Sequence, residues 1–108
     1  MTNTYKVLGQ SAPVASTHTA VYTVPNLTQA VLSTLCVCNA GVSATYRIAV
    51  RVAGAALTPE QYLVYDATLN ANDSTFLTLG ITLGAGDVVS VYASSANVSF
   101  NLFGSEIV

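Results

Sequence analysis

The chain has 108 residues, enough for one domain, and only 7% of them are charged: three Lys or Arg and five Asp or Glu. A typical soluble domain has about 25% charged residues. Low charge with 52% hydrophobic content excludes an intrinsically disordered chain and a coiled coil. Three cations also argue against a free-standing nucleic-acid binder, because they cannot neutralise a track of phosphates.

Fifteen Val and thirteen Thr, β-branched residues that suit a pleated sheet, recur along the chain. Gly, Pro, Asn and Asp interrupt the apolar alternation about every 8–12 residues, which is typical of an antiparallel sandwich or barrel. The pattern predicts eight strands, at residues 5–9, 20–24, 29–39, 44–53, 62–66, 75–79, 88–93 and 98–103. One helical turn is expected at 58–60, where Thr can cap and Pro takes the first helical position. We therefore expect one all-β domain over residues 1–108, a single antiparallel β-sandwich of jelly-roll or immunoglobulin-like topology.

The third predicted strand, 29–39, is apolar on both faces if its side chains alternate regularly. One face then holds Val31, Leu35 and Val37, and the other holds Ala30, Leu32, Cys36 and Cys38. The exposed face of an antiparallel sheet is normally polar. We therefore expect this strand to be central and covered on both sides, by a neighbouring subunit or, more simply, by a loop or N-terminal arm of the same chain.

The fourth predicted strand, 44–53, separates two kinds of side chain. Tyr46 and Ile48 share one face, whereas Arg47 and Arg51 share the other. Two of the three cations therefore stand together on a solvent-facing side of the sheet.

Residues that could carry chemistry are few. Cys36 and Cys38 share one side of a strand, with Cα atoms about 6.5–7 Å apart, at or beyond the limit for a disulfide. We interpret them as small buried apolar residues, because a metal site needs about four ligands. The single His18 is interpreted as a solvated loop residue, and Asp73 and Asp87 as turn residues that bind nearby backbone amides. The sequence predicts no catalytic residues, no cofactor and no metal site.

Residues 7–46 carry no Asp, Glu, Lys or Arg. Protein interfaces are depleted in Lys, Glu and Asp and enriched in Tyr, of which the chain has six. We therefore expect copies of the chain, or a larger assembly, to cover much of its surface. No leader pattern and no apolar run near 20 residues is visible, so we expect synthesis in a cytoplasm and no membrane partner.

Several segments, spread over nearly the whole length, follow the order and spacing of one known group of proteins. They are YKVLGQ at 5–10, YTVP at 22–25, VCN at 37–39 with YRIAVR at 46–51, LGITL at 79–83 with GD at 86–87, and VSFNLFGSEI at 98–107. In these segments the chain resembles short structural proteins of tailed bacteriophages, including cyanophages. The resemblance implies a non-enzymatic virion protein with a compact β-sandwich, assembled in the cytoplasm of a host bacterium.

Within that group our first expectation is a capsid decoration (cement) protein. Its partners would be the major capsid protein or other virion proteins, and itself as a dimer or trimer. The alternatives are a tail, neck, baseplate or fibre-associated subunit, and a carbohydrate-binding module that uses exposed tyrosines. We expect Tyr5, Lys6, Arg47 and Arg51 to contribute contacts, because the guanidinium fork can bind a carboxylate with two hydrogen bonds. The alternative for both arginines is that they only keep a sheet face hydrated.

Overall fold

The computed structural model describes residues 2–108, apart from the side chain of Leu79. Eight strands form the described chain: β1 (Asn3–Ser11), β2 (Thr19–Thr23), β3 (Gln29–Asn39), β4 (Ala44–Arg51), β5 (Tyr62–Leu69), β6 (Ser74–Leu83), β7 (Val88–Ala93) and β8 (Val98–Ile107). Two short 3₁₀ turns, Val52–Gly54 and Pro59–Gln61, connect β4 to β5. All eight predicted strands and the predicted helical turn are therefore confirmed. β4 ends before the predicted limit, because Ala53 and Gly54 both have a positive φ.

The strands form two four-stranded sheets with the orders β1-β8-β3-β6 and β2-β7-β4-β5. We name them the A sheet and the B sheet. The antiparallel pairs β1–β8, β2–β7, β3–β6 and β4–β5 are those of one long hairpin rolled up into two layers. This is the topology of a jelly roll. In the immunoglobulin arrangement the first, second, fourth and fifth strands share a sheet, so that alternative is excluded.

The hydrophobic core lies between the two sheets. Leu35 and Phe100 of the A sheet and Ile48 and Val91 of the B sheet are completely buried there. Each such side chain stabilises the fold by about 1.5–3 kcal/mol relative to an exposed position. The rings of Tyr46 and Phe100 meet edge to face across the layers, with centroids 6.3 Å apart. Because one core holds the inner faces together, the two outer faces are the surfaces open to a partner.

β3 lies between β8 and β6, so its predicted central position is confirmed. The expectation that a loop or N-terminal arm covers its outer face is wrong, because Ser33 and Cys38 on that face are exposed; cover by a neighbouring subunit stays a prediction. The register of β3 shifts against both neighbours between Leu32 and Thr34, and the extra residue, Ser33, changes the phase of the alternation. The residues that face the core are consequently Ala30, Leu32, Leu35 and Val37. Cys36, half-buried, and Cys38, exposed, lie on the outer face and are not the buried pair that was predicted.

Candidate functional site

Arg47 lies in the middle of the outer face of the B sheet. Its strand, β4, runs between β7 and β5, and Arg47 is directly opposite Tyr92 of β7. The residues on either side of it, Tyr46 and Ile48, are buried in the core. Arg47 and Arg51 therefore share the outer face, as the alternation predicts.

A bulge in β5 brings two residues to Arg47 where a regular strand would bring one. The register between β4 and β5 shifts at this point, so that Tyr65 and Asp66 share the position opposite Arg47. Asp66 takes the left-handed conformation, with a φ of 51°, which a short polar side chain tolerates better than most.

The Arg47 guanidinium is held on three sides. Its central carbon lies 4.3 Å from the ring centroids of both Tyr65 and Tyr92, so that the cation is enclosed between two aromatic faces. Its Nε donates to Oδ1 of Asp66 at 2.6 Å, and its Nη2 donates to Oδ2 at 3.2 Å. This bidentate pair holds the pKa of the Asp66 carboxyl below its usual range and raises the pKa of Arg47. The cluster is thus held in place by contacts within the chain itself.

Arg51, four residues further along β4 on the same face, has a different environment. Its Nε donates to the hydroxyl of Ser90 at 3.1 Å. Among residues 2–108 no carboxylate forms an ion pair with it. Arg51 is therefore the cation on this face that a carboxylate from another molecule can neutralise.

His18 lies in the loop before β2, as predicted, but it packs beside this cluster, so its interpretation as a solvated residue is wrong. Its ring lies 5.0 Å from that of Tyr92, and its Nε2 is 3.2 Å from the Tyr62 hydroxyl. Its Nδ1 is buried with no hydrogen-bond partner among the described residues. Burial, followed by the positive charges of Arg47 and Arg51, lowers the pKa of His18. The imidazole is accordingly neutral at pH 7.

A cleft of about 550 Å³ adjoins the Arg47 cluster. It is lined by Leu57, Thr58, Pro59, Tyr62 and Tyr65. The two tyrosine rings meet edge to face at 4.9 Å, and Tyr65 remains 60% exposed. A rigid, exposed aromatic ring next to an apolar wall can receive an apolar side chain or the apolar face of a sugar.

The other two predicted contact residues, Tyr5 and Lys6, lie on β1 at the edge of the A sheet. Tyr5 is 81% exposed. The Lys6 ammonium lies 2.8 Å from Oε1 of Glu106, whose Oε2 accepts a hydrogen bond of 2.6 Å from the Tyr22 hydroxyl. Hydrogen bonds from Lys6 and Tyr22 lower the pKa of Glu106. Lys6 thus belongs to a group that ties the A sheet to β2 of the B sheet.

The four predicted contact residues do not form one site. Arg47 and Arg51 share the outer face of the B sheet, whereas Tyr5 and Lys6 lie in the opposite layer. The sequence missed His18, Tyr65 and Tyr92 as neighbours of the arginines. No local signal identifies them, because they come from three segments far apart in the chain.

Among the residues that the structure describes, none on the outer face of the A sheet is charged. The strand registers place uncharged side chains across it, in rows from β1 to β6. These are Tyr5, Val7 and Gln10 of β1; Ser99, Asn101, Phe103 and Ser105 of β8; Val31, Thr34, Cys36 and Cys38 of β3; and Ser74, Phe76, Thr78 and Thr82 of β6. Of these, Tyr5, Val7 and Phe76 are large apolar side chains left exposed.

The turn aspartates behave as predicted. The two carboxylate oxygens of Asp87 accept hydrogen bonds from the backbone N–H groups of Gly84 and Ala53, both at 2.9 Å. The carboxylate of Asp73 accepts one from the N–H of Ser74 at 2.8 Å. Both residues therefore fix turns.

No protein-family model, no curated protein and no solved structure matches the chain. In the part of the chain that the structure describes, no helix has the length and apolar character needed to cross a membrane.

Proposed function

We propose that this chain is a non-enzymatic structural protein of a bacteriophage virion, a capsid decoration protein that binds the head surface and stabilises it through subunit contacts. The observation that carries the proposal is the contrast between the two outer faces of one small sandwich. One face presents an ordered Tyr–Arg cluster, and the other presents no charged residue. Such a molecule suits an assembly, in which different faces meet different neighbours. Jelly rolls are also common among viral capsid domains, which agrees with the proposal at the level of fold.

The B sheet provides the surface for the head. Tyr and Arg are the residues that most often dominate binding energy at protein interfaces. Here Tyr65 is exposed but held by Arg47 and Tyr62, so that little side-chain entropy is lost when a partner packs on it. Arg51 adds a cation without a carboxylate partner among the described residues. The complementary surface on the head is therefore acidic, with an apolar group for the cleft beside Tyr65.

A symmetric head offers the same contact many times. If copies of the chain are linked to one another, each modest contact is reinforced by its neighbours. Affinity for an intact head should therefore greatly exceed affinity for a single capsid subunit.

The test is cosedimentation of the purified chain with phage heads that lack it, with occupancy measured against concentration. Arg51→Gln and Tyr65→Ala should reduce occupancy at least tenfold while the far-UV spectrum stays native. Tyr5→Ala is the matched control, because it removes an exposed tyrosine from the other sheet. Failure of the native chain to bind any head would refute the proposal. Loss of binding in Tyr5→Ala alone would move the contact to the A sheet.

The closest structural alternative is a tail, neck, baseplate or fibre-associated subunit. A decoration protein covers a head in many copies, whereas such a subunit is present in few. Quantitative mass spectrometry of purified virions, normalised to the major capsid protein, separates the two.

The cleft beside Tyr62 and Tyr65 favours a second candidate function, carbohydrate binding. Lectin domains also use the jelly roll, and tyrosine rings can pack on the apolar face of a sugar. A glycan array, followed by NMR titration of any positive glycan, tests this candidate. Binding that is lost in Tyr65→Ala and kept in Tyr5→Ala would support it, and an array without a positive glycan would refute it.

A further inference from the structure

Each sheet of the sandwich ends in two edge strands, β1 and β6 in the A sheet and β2 and β5 in the B sheet. The outward backbone N–H and C=O groups of an edge strand have no neighbouring strand and can template the addition of another one. Natural proteins protect such edges with short strands, charged residues, proline or bulges. The four edges of this domain differ sharply in that protection.

Three of the edges are protected. β1 carries Lys6 and a bulge between Val7 and Gly9, and it runs so close to β2 that a Cβ on Gly9 would lie 2.6 Å from the carbonyl oxygen of Val21. β2 is only five residues long and is itself bulged. β5 contains two register shifts and the charged Asp66 in a left-handed conformation.

β6 is the exception over its first half, Ser74–Thr78. It runs for ten residues, Ser74–Leu83, without a charged residue or a proline. From Ser74 to Thr78 it pairs with β3 in unbroken register, and the irregularity of the strand comes only after Thr78. In the middle of this regular stretch Phe76 is 67% exposed. Thr75, Phe76 and Thr78 in this stretch are suited to β-structure, so it can act as a template for one more strand.

We propose that β6 is the edge through which two copies of this chain pair, antiparallel about a twofold axis, so that their A sheets join into one continuous sheet. The inference deepens the proposed function and rests on it for the choice of a second copy as the occupant, because a virion protein is present in many copies. Two features of the strand agree with that choice. A strand paired with itself about a twofold axis is necessarily antiparallel, and an uncharged strand meets its own copy without repulsion.

The register follows from the exposed ring. If the axis passes beside Phe76, this residue is opposite Phe76 of the second copy, and Ser74 is opposite Thr78 of the second copy. Aromatic residues directly opposite each other stabilise antiparallel pairs, and these side chains share the uncharged outer face. The two uncharged faces would then form one surface, while each B sheet stays available for the head.

Sedimentation equilibrium of the purified chain, without heads, tests the pairing. The native chain should change with concentration from 11.2 kDa to twice that mass. Phe76→Lys should weaken the dimer at least tenfold, because it removes the aromatic pair and places two like charges opposite each other. Thr78→Lys serves as the second variant if Phe76→Lys does not fold. Tyr5→Lys is the matched control, because it introduces the same charge on the same face at the other edge, and it should remain dimeric.

Amide hydrogen exchange distinguishes pairing along the edge from stacking of the outer faces. In the dimer, the amides of residues 74–78 that point away from β3 should become protected, and they should exchange fast in Phe76→Lys. Three results would each overturn the inference. The native chain could stay monomeric, the dimer could lack this added protection, or Tyr5→Lys could dissociate the dimer as much as Phe76→Lys does. The failure of this inference is separable from that of the proposed function: a dimer that binds no head refutes only the latter, and a monomer that binds heads refutes only the former.

Discussion

Tyr22→Phe tests how the two layers are joined at the end of the sandwich that holds Glu106. The substitution removes one oxygen from a side chain that is only 8% exposed, and with it the 2.6 Å hydrogen bond to the carboxylate of Glu106. Hydrogen bonds to charged groups contribute about 1.5–3 kcal/mol, against about 0.5–1.5 for neutral pairs. Glu106 keeps its contact with Lys6, so the loss should stay within the range for a single charged hydrogen bond.

Urea unfolding at pH 7 measures this loss. With a slope of about 2 kcal/mol per M for a domain of this size, the midpoint should fall by about 1 M while the slope is unchanged. Tyr46→Phe is the matched control. Tyr46 is equally buried, at 5% exposed, but its hydroxyl makes no hydrogen bond to another described residue and is not among the buried groups left without a partner, so it reaches solvent and its removal should cost less than about 0.5 kcal/mol.

A double-mutant cycle makes the test specific. In a Glu106→Gln background the acceptor is neutral, so Tyr22→Phe should cost only about 0.5–1.5 kcal/mol. Equal losses for Tyr22→Phe and Tyr46→Phe, or an undiminished loss in the Glu106→Gln background, would refute the assignment of the energy to this hydrogen bond.

Three further predictions concern other parts of the molecule. Because the pKa of His18 is lowered in the folded state, the unfolded chain takes up the proton first, so the free energy of unfolding should decrease as pH falls below about 6.5. His18→Phe should flatten that slope in urea titrations between pH 5 and 8. Gly104→Ala should cost about 1–3 kcal/mol in thermal unfolding, because its Cβ would overlap a backbone carbonyl of β3, whereas Gly80→Ala, in open space, should be tolerated. Iodoacetamide should label Cys38 before Cys36 by mass spectrometry, because Cys38 is exposed and burial raises the pKa of Cys36; equal rates would contradict the predicted order.

The orientation of Arg47 and Arg51 shows what the local sequence pattern can predict. Alternation along residues 44–51 predicts correctly that Arg47 and Arg51 point away from the core, because the side-chain period of a strand is two and needs no knowledge of its neighbours. Local alternation does not predict the cluster around Arg47. Tyr65 and Asp66 are adjacent in sequence and would face opposite sides of a regular strand, and only the bulge places both beside Arg47.

The wrong predictions for β3 and His18 also come from features that local alternation does not contain: a bulge in β3, and contacts between His18 and distant residues. Regular alternation would place Ala30 and Leu32 on one face of β3 and Leu35 and Val37 on the other. The extra residue Ser33 shifts the alternation by one, so all four residues face the core. Cys36 and Cys38 therefore lie outside rather than in the core. His18 sits in a polar stretch of sequence, yet Tyr62 and Tyr92, more than forty residues away, cover its ring.

By itself the sequence determined the fold class, the number of strands, the turns and the scarcity of charge. These properties depend on composition and on the alternation of neighbouring residues, which are local. Tertiary structure alone decided the jelly-roll order, the separation of the four predicted contact residues onto two layers and the unprotected edge at β6. Those features depend on which distant strands pair and in which register. A single bulge changes that register by one residue and moves every later side chain to the other face of the sheet.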